Sequence, residues 1–190
     1  MALLGHARGL ILRPNAEWAA IAAEPSSRRA ILFEYVLPLV AAGALVTIEY
    51  NLVQMKRGPA IGSAVFQIVV YVVNVYLVAW LADLLVKRFG GVKDPLAAFK
   101  WVAYASTPMW LAQLGFLIPN AQIADAILCA GLGFSGYLLF LGANADMHVP
   151  PGRSVWFTLS VIALYFFFGA AAFAVLLLIA IAGSVPYIGG

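Results

Sequence analysis

The chain has 190 residues, of which 64% are hydrophobic and 10% charged, whereas an ordinary soluble domain is about 45–50% apolar and about 25% charged. A soluble fold of this length would need polar side chains over its surface, but here the charges form short clusters between long uncharged stretches. A net charge of +3 without a long basic stripe argues against a nucleic-acid surface and suits Lys and Arg flanking membrane crossings beside lipid head groups.

The composition therefore predicts an all-α, polytopic membrane bundle forming one domain over residues 1–190. Met1 to Leu12 does not read as a cleavable signal peptide, because His6, Arg8 and two glycines interrupt any apolar core of about 7–15 residues. Residues 1–29 are expected to be cytoplasmic or interfacial. Within them, Ala16 to Glu24 reads as a short helix capped by Asn15, with Glu17 at its positive end and Pro25 as its stop. Trp18 and Ile21 share one face, which would rest on the membrane surface as an interfacial helix or pack on the bundle as a lid.

Five spans follow, at approximately 30–50, 60–83, 96–118, 121–143 and 155–183. Ser27 is placed to cap the first, and Pro38 in its opening turns should kink it. The second is apolar apart from Ser63, Gln67 and Asn74. Its Val-Val-Tyr-Val-Val run suits a strand, but the length of the stretch and the need to pair backbone groups in lipid favour a helix. Asp94-Pro95 should start the third span. Pro108 falls near its middle, where Ser106 and Thr107 could satisfy a freed carbonyl.

Pro119-Asn120 makes a tight turn into the fourth span. There Gly131 and Ser135 lie four residues apart and permit close helix contact. Pro150-Pro151-Gly152 interrupts the chain before the last span, which is long enough to tilt, bend near Gly169 or lie partly at the interface. Cys129 sits in an apolar run without His or Cys partners and reads as a packing residue.

Charge sets the expected orientation. With a cytoplasmic N-terminus, Arg8, Arg13, Arg28, Arg29, Lys87, Arg88, Lys93, Lys100 and Arg153 fall inside, and only Lys56 and Arg57 outside. Outside segments would then be the Gln54 to Gly62 loop, the Pro119 turn and the tail ending Tyr187-Ile188-Gly189-Gly190.

Groups that could carry chemistry are few. Glu34, Glu49, Asp83 and Asp125 fall near span ends, where snorkelling relieves their cost. Lys87, four residues after Asp83, could pair with it. Gln67, Tyr71 and Asn74 form a polar strip on the second span that could meet Ser106, Thr107 or Gln113 beside Pro108, either as adhesion between helices or as the lining of a small path. Asp146-Met147-His148 offers two metal ligands, fewer than a closed zinc site needs. No catalytic motif stands in the sequence, and neither a catalytic residue nor a cofactor is expected.

Several pieces occur together in order: Ile11-Leu12-Arg13-Pro14 with Glu17-Trp18 and Glu24-Pro25, Leu37-Pro38, Phe89-Gly90-Gly91, the Ala98 to Trp110 segment ending Tyr104-Ala105-Ser106-Thr107-Pro108-Met109-Trp110, and Leu138 to Pro150. With these the chain resembles the Yip-domain family of small polytopic membrane proteins, particularly its bacterial members. The resemblance implies five transmembrane helices and a cytosolic N-terminus. Eukaryotic members of that family are associated with Rab-type GTPases and vesicle traffic, and commonly carry an acidic cytosolic arm. No such arm stands in this sequence, so Rab binding is not carried over. The expected role is a non-enzymatic scaffold or adaptor in the bacterial cytoplasmic (inner) membrane. Its partners would be membrane lipids and either a membrane protein or a second copy of the chain. The alternative is a small transporter or channel, or an accessory subunit of one.

Overall fold

Proline and small capping residues divide the chain where the sequence predicts, with one consequential exception in its centre. The computed structural model describes residues 2–54 and 60–184. The loop carrying Lys56 and Arg57 and the tail Tyr187 to Gly190 lie outside the described residues. Those described are overwhelmingly helical and contain no strand.

Two short helices, α1 (Ala2–Leu12) and α2 (Pro14–Ala23), open the chain. The cap of α2 differs from expectation. Arg13 holds the N-cap position without a side-chain bond, and Pro14 takes the first turn where a missing N–H costs nothing, so Asn15 is already inside the helix. The expected interfacial face of α2 is likewise turned inward: Trp18 and Ile21 are both buried against the bundle. It is the lid arrangement that forms, because an indole and an isoleucine gain more from a packed protein groove than from the head-group layer.

Ser27 caps the next helix, accepting from the Ala30 N–H at 3.1 Å. That helix is continuous over Arg28–Glu49 and comprises α3 (Arg28–Ile31), a π turn (Leu32–Val36) and α4 (Leu37–Glu49). The π turn lies just before Pro38. A proline ring crowds the carbonyl four residues earlier, and the wider turn makes room for it. The second span, α5 (Ala60–Leu85), tightens into a 3-10 turn at Val86–Phe89 and ends on Gly90 with φ +83°, the left-handed conformation that glycine adopts without steric cost. Helix α8 (Ala121–Ala145) is capped by Asn120, and α9 (Pro151–Ser184) begins at Pro151. The Pro-Pro-Gly run therefore interrupts the chain only up to Pro150, since Pro151 is tolerated in the first turn.

The exception is the predicted third span, 96–118. Asp94 caps it as expected, accepting from Leu96 N and Ala97 N at 2.8 and 3.1 Å. The segment then breaks into α6 (Pro95–Ala105), α7 (Thr107–Ala112) and a 3-10 turn (Gln113–Leu117). Among the described residues, four helices rather than five are long and apolar enough to cross a bilayer: Arg28–Glu49, Ile61–Phe89, Ala121–Ala145 and Pro151–Phe168. Pro108 opens the break. It removes one backbone donor and displaces the carbonyl of Tyr104, and the helix divides at Ser106.

The broken segment is also the most buried part of the chain, with every residue from Ala98 to Ala105 and from Thr107 to Trp110 inside. It runs the length of the bundle. Lys100 meets the end of α2, while Phe116 packs on Tyr50 beyond α4, with ring centroids 6.0 Å apart. Interrupted backbone is tolerated at membrane depth where protein shields it from lipid, and the four long helices supply that shield.

Candidate functional site

The break in the central segment leaves backbone groups that the surrounding helices must satisfy, and this requirement organises the first polar layer. Pro108 cannot donate to Tyr104 O, so the Thr107 hydroxyl donates to it instead at 2.7 Å. That hydroxyl's single proton is then committed, and the 2.6 Å contact between Tyr35 and Thr107 has the Tyr35 hydroxyl as donor. Ser106 donates to Val102 O at 2.8 Å. Met109 N–H, beyond the break, donates to Ser135 Oγ on α8 at 3.1 Å. Gly131, one turn earlier on α8, has no room for a Cβ, which would meet Ala112 and lie 2.8 Å from Pro108 O. The expected small-residue contact at Gly131 and Ser135 thus clasps the proline break.

A second polar layer lies at the far end. Thr47 on α4 donates to Gln67 Oε1 on α5, Gln67 Nε2 donates to Gln113 Oε1 at 2.6 Å, and Gln113 Nε2 donates to the Tyr71 hydroxyl at 2.7 Å. Gly43 allows this approach, since a Cβ there would strike the Gln113 side chain. The chain of bonds borders a cavity of about 270 Å³ that is also lined by Tyr50 and Phe116. Gln67, Tyr71 and Gln113 therefore come together as expected. Asn74 is half-buried and outside this chain of bonds. Ser106, Thr107 and Pro108 belong to the separate layer at the break, so the seven residues expected to cluster do not form one site.

The boundary carboxylates also separate. Asp125 is exposed, as is Glu34, which borders a cavity of about 140 Å³ with His6, Glu24, Tyr35 and Tyr104. Glu49 is half-buried, with Oε2 lacking a hydrogen-bond partner among the described residues. Asp83 is buried, and its cationic neighbour is Lys93, with Oδ2 to Nζ 3.9 Å. The expected Lys87 pairing does not form: Lys87 lies in the 3-10 turn, where the spacing is no longer that of an α-helix.

Three groupings at the other end of the bundle were not visible in the sequence. His6 lies 2.6 Å from Glu17 Oε1 and 3.0 Å from Glu24 Oε2, fastening α1 to α2. Lys100, expected as a loop-side charge, is buried and donates to Ile21 O at 2.9 Å and Glu24 O at 2.6 Å. Asp146, just past α8, is buried with Oδ2 unbonded among the described residues. Burial pushes its carboxyl up to about 7, against the opposing pull of Lys100 and with a smaller upward push from Asp94. His148 Nδ1 lies 3.1 Å from the Asp146 carbonyl. Among the described residues no three His, Cys, Asp or Glu side chains are grouped to hold a metal ion.

The basic residues share this end. Arg8, Arg13, Arg28, Arg29, Lys87 and Arg88 are all exposed around it, and Arg153 approaches Gly90. No curated protein and no solved structure matches the chain. A family model described as the Yip1 domain does match, over residues 8–173. Those residues take in α2, all four long helices and the proline break between them, and on this evidence the chain belongs to the Yip1 domain family, as an integral membrane protein.

Proposed function

We propose that this protein is a non-enzymatic membrane scaffold or adaptor, working from the cytoplasmic face of a bacterial inner membrane. The observation that carries this reading is the seating of the N-terminal helices. Trp18, Ile21 and the two Lys100 bonds lock α2 onto the bundle, and His6 ties α1 to it. The result is a preformed platform ringed by arginines and lysines rather than a loose tail. Such a ring favours the cytoplasmic side and offers a fixed surface for a membrane-protein partner or a second copy. In this orientation residues 95–117 carry the chain across as a broken segment inside the four spans, so that α8 returns to the basic end.

Pull-down in mild detergent tests the reading. A stoichiometric partner that is lost when Arg8 and Arg13 become Glu is the expected result. Recovery of a solitary protein across several gentle detergents would overturn it.

A second reading, a small transporter or channel subunit, draws support from the cavity of about 270 Å³ beside Thr47, Gln67 and Gln113. Against it, those amides bond to one another and to Tyr71, leaving little polar capacity for a passing solute. Solute or ion flux in liposomes that disappears with Gln113→Leu would favour this reading over the scaffold.

A further inference from the structure

A more voluminous cavity than those at the polar layers lies elsewhere on the bundle. It is an open groove of about 810 Å³ between the start of α3, the outer face of α5 and the start of α6. Its wall is apolar and aromatic, with Val72, Val73, Tyr76, Leu77, Trp80 and Phe99. Val73 and Trp80 are more than half exposed, so the groove opens on the surface that faces lipid. From Val72 to Asp83 it follows α5 for about 16 Å at 1.5 Å per residue. Its polar lining is different in kind: Asp83 and Lys93, paired at 3.9 Å, and Arg28.

We propose that this groove binds a phospholipid with a primary-amine head group, of the phosphatidylethanolamine type. The two linings of the groove match the two ends of that molecule. An acyl chain lies along Val73, Tyr76 and Trp80, parallel to α5. The phosphodiester lies between Arg28 and Lys93, a pairing of oxyanion with cationic donors.

The identity of the head group rests on Asp83. It is only 4% exposed, its Oδ1 has no hydrogen-bond partner among the described residues, and Lys93 approaches only Oδ2. A buried carboxylate with one unbonded oxygen is costly, and a primary ammonium supplies the missing N–H donor. A choline head group has no N–H to give. A glycerol head group gives only a neutral hydroxyl, a weaker donor to a carboxylate than an ammonium. The inference requires membrane insertion alone and holds whether or not the scaffold reading does.

Native mass spectrometry of the full chain in detergent, titrated with phosphatidylethanolamine, phosphatidylcholine and phosphatidylglycerol of identical acyl chains, tests it. The expected order has phosphatidylethanolamine retained at least about tenfold more tightly than phosphatidylcholine, the scale of one charge-assisted hydrogen bond. Asp83→Asn should erase that preference. Arg28→Gln, at an exposed position outside the Asp83–Lys93 pair, should weaken all three lipids together. Equal retention of the three head groups would overturn the proposal. So would phosphatidylglycerol binding most tightly, or an ethanolamine preference that survives Asp83→Asn.

Discussion

Lys100 Nζ lies 2.6 Å from the carbonyl oxygen of Glu24, reaching from the buried face of α6 to the C-terminal end of α2. A helix C-terminus presents unpaired carbonyls and partial negative charge, and a lysine there answers both. A charge that sequence alone assigns to the membrane edge is thus the bolt between the N-terminal helices and the bundle.

Replacing Lys100 by Met should therefore release α2. The variant keeps the apolar stem but leaves the Glu24 carbonyl without its donor, at a cost of about 2 kcal/mol. Limited proteolysis in detergent should cut between Pro14 and Ser27 in the variant and spare the parent protein. Equal resistance of the two would show that Trp18 and Ile21 suffice to hold the helix.

Gly142 on α8 makes room for two indoles. A Cβ there would stand 2.6 Å from Trp101 Cδ1 and 2.8 Å from Trp18 Cζ2. Gly142→Ala is expected to destabilise by about 1–3 kcal/mol through overpacking, read as a lower Tm in detergent with a shift in tryptophan fluorescence. Gly133, on the same helix, meets nothing within 4 Å of an added Cβ. Gly133→Ala should leave Tm unchanged or raise it, since alanine favours the helix by up to about 1 kcal/mol.

Gln113 joins two partners, Gln67 and Tyr71. Gln113→Leu should cost about 1–2 kcal/mol, partly by stranding the Gln67 amide. Converting both Gln67 and Gln113 to Leu should cost less than the sum of the single changes, because the second removes a group already unpaired. Thermal unfolding of the three variants in one detergent checks this, and strict additivity would contradict the bonded chain described above.

Asp146 makes stability depend on pH. Its carboxyl is raised from 3.8 to about 7 by burial, so the folded state holds the proton more tightly than the unfolded chain does. The associated stability is fully present below about pH 4 and is lost as pH rises towards 7. Asp146→Asn should flatten that part of the profile and raise Tm at pH 8 by roughly 3 °C or more. A slope between pH 4 and 7 that the substitution leaves unchanged would assign it to another group.

What the sequence by itself determined was local or compositional. The membrane setting followed from long uncharged stretches. The caps at Ser27 and Asp94 followed from short polar side chains placed just before apolar runs. The contact of Gln67 and Tyr71 with Gln113 followed from helical spacing. Only the tertiary structure decided which faces are turned inward. Trp18 and Ile21 would suit lipid or protein equally well by pattern, and it is the gap at Gly142 that claims the indole. Pro108 announced a defect, but whether it bends one helix or splits it depends on donors and acceptors from elsewhere, supplied here by Tyr35 and Ser135. Lys100 looked like an inner-side charge and Asp146 like one of two metal ligands for the same reason: sequence gives a residue's place along the chain, while burial and partners come from helices far away in it.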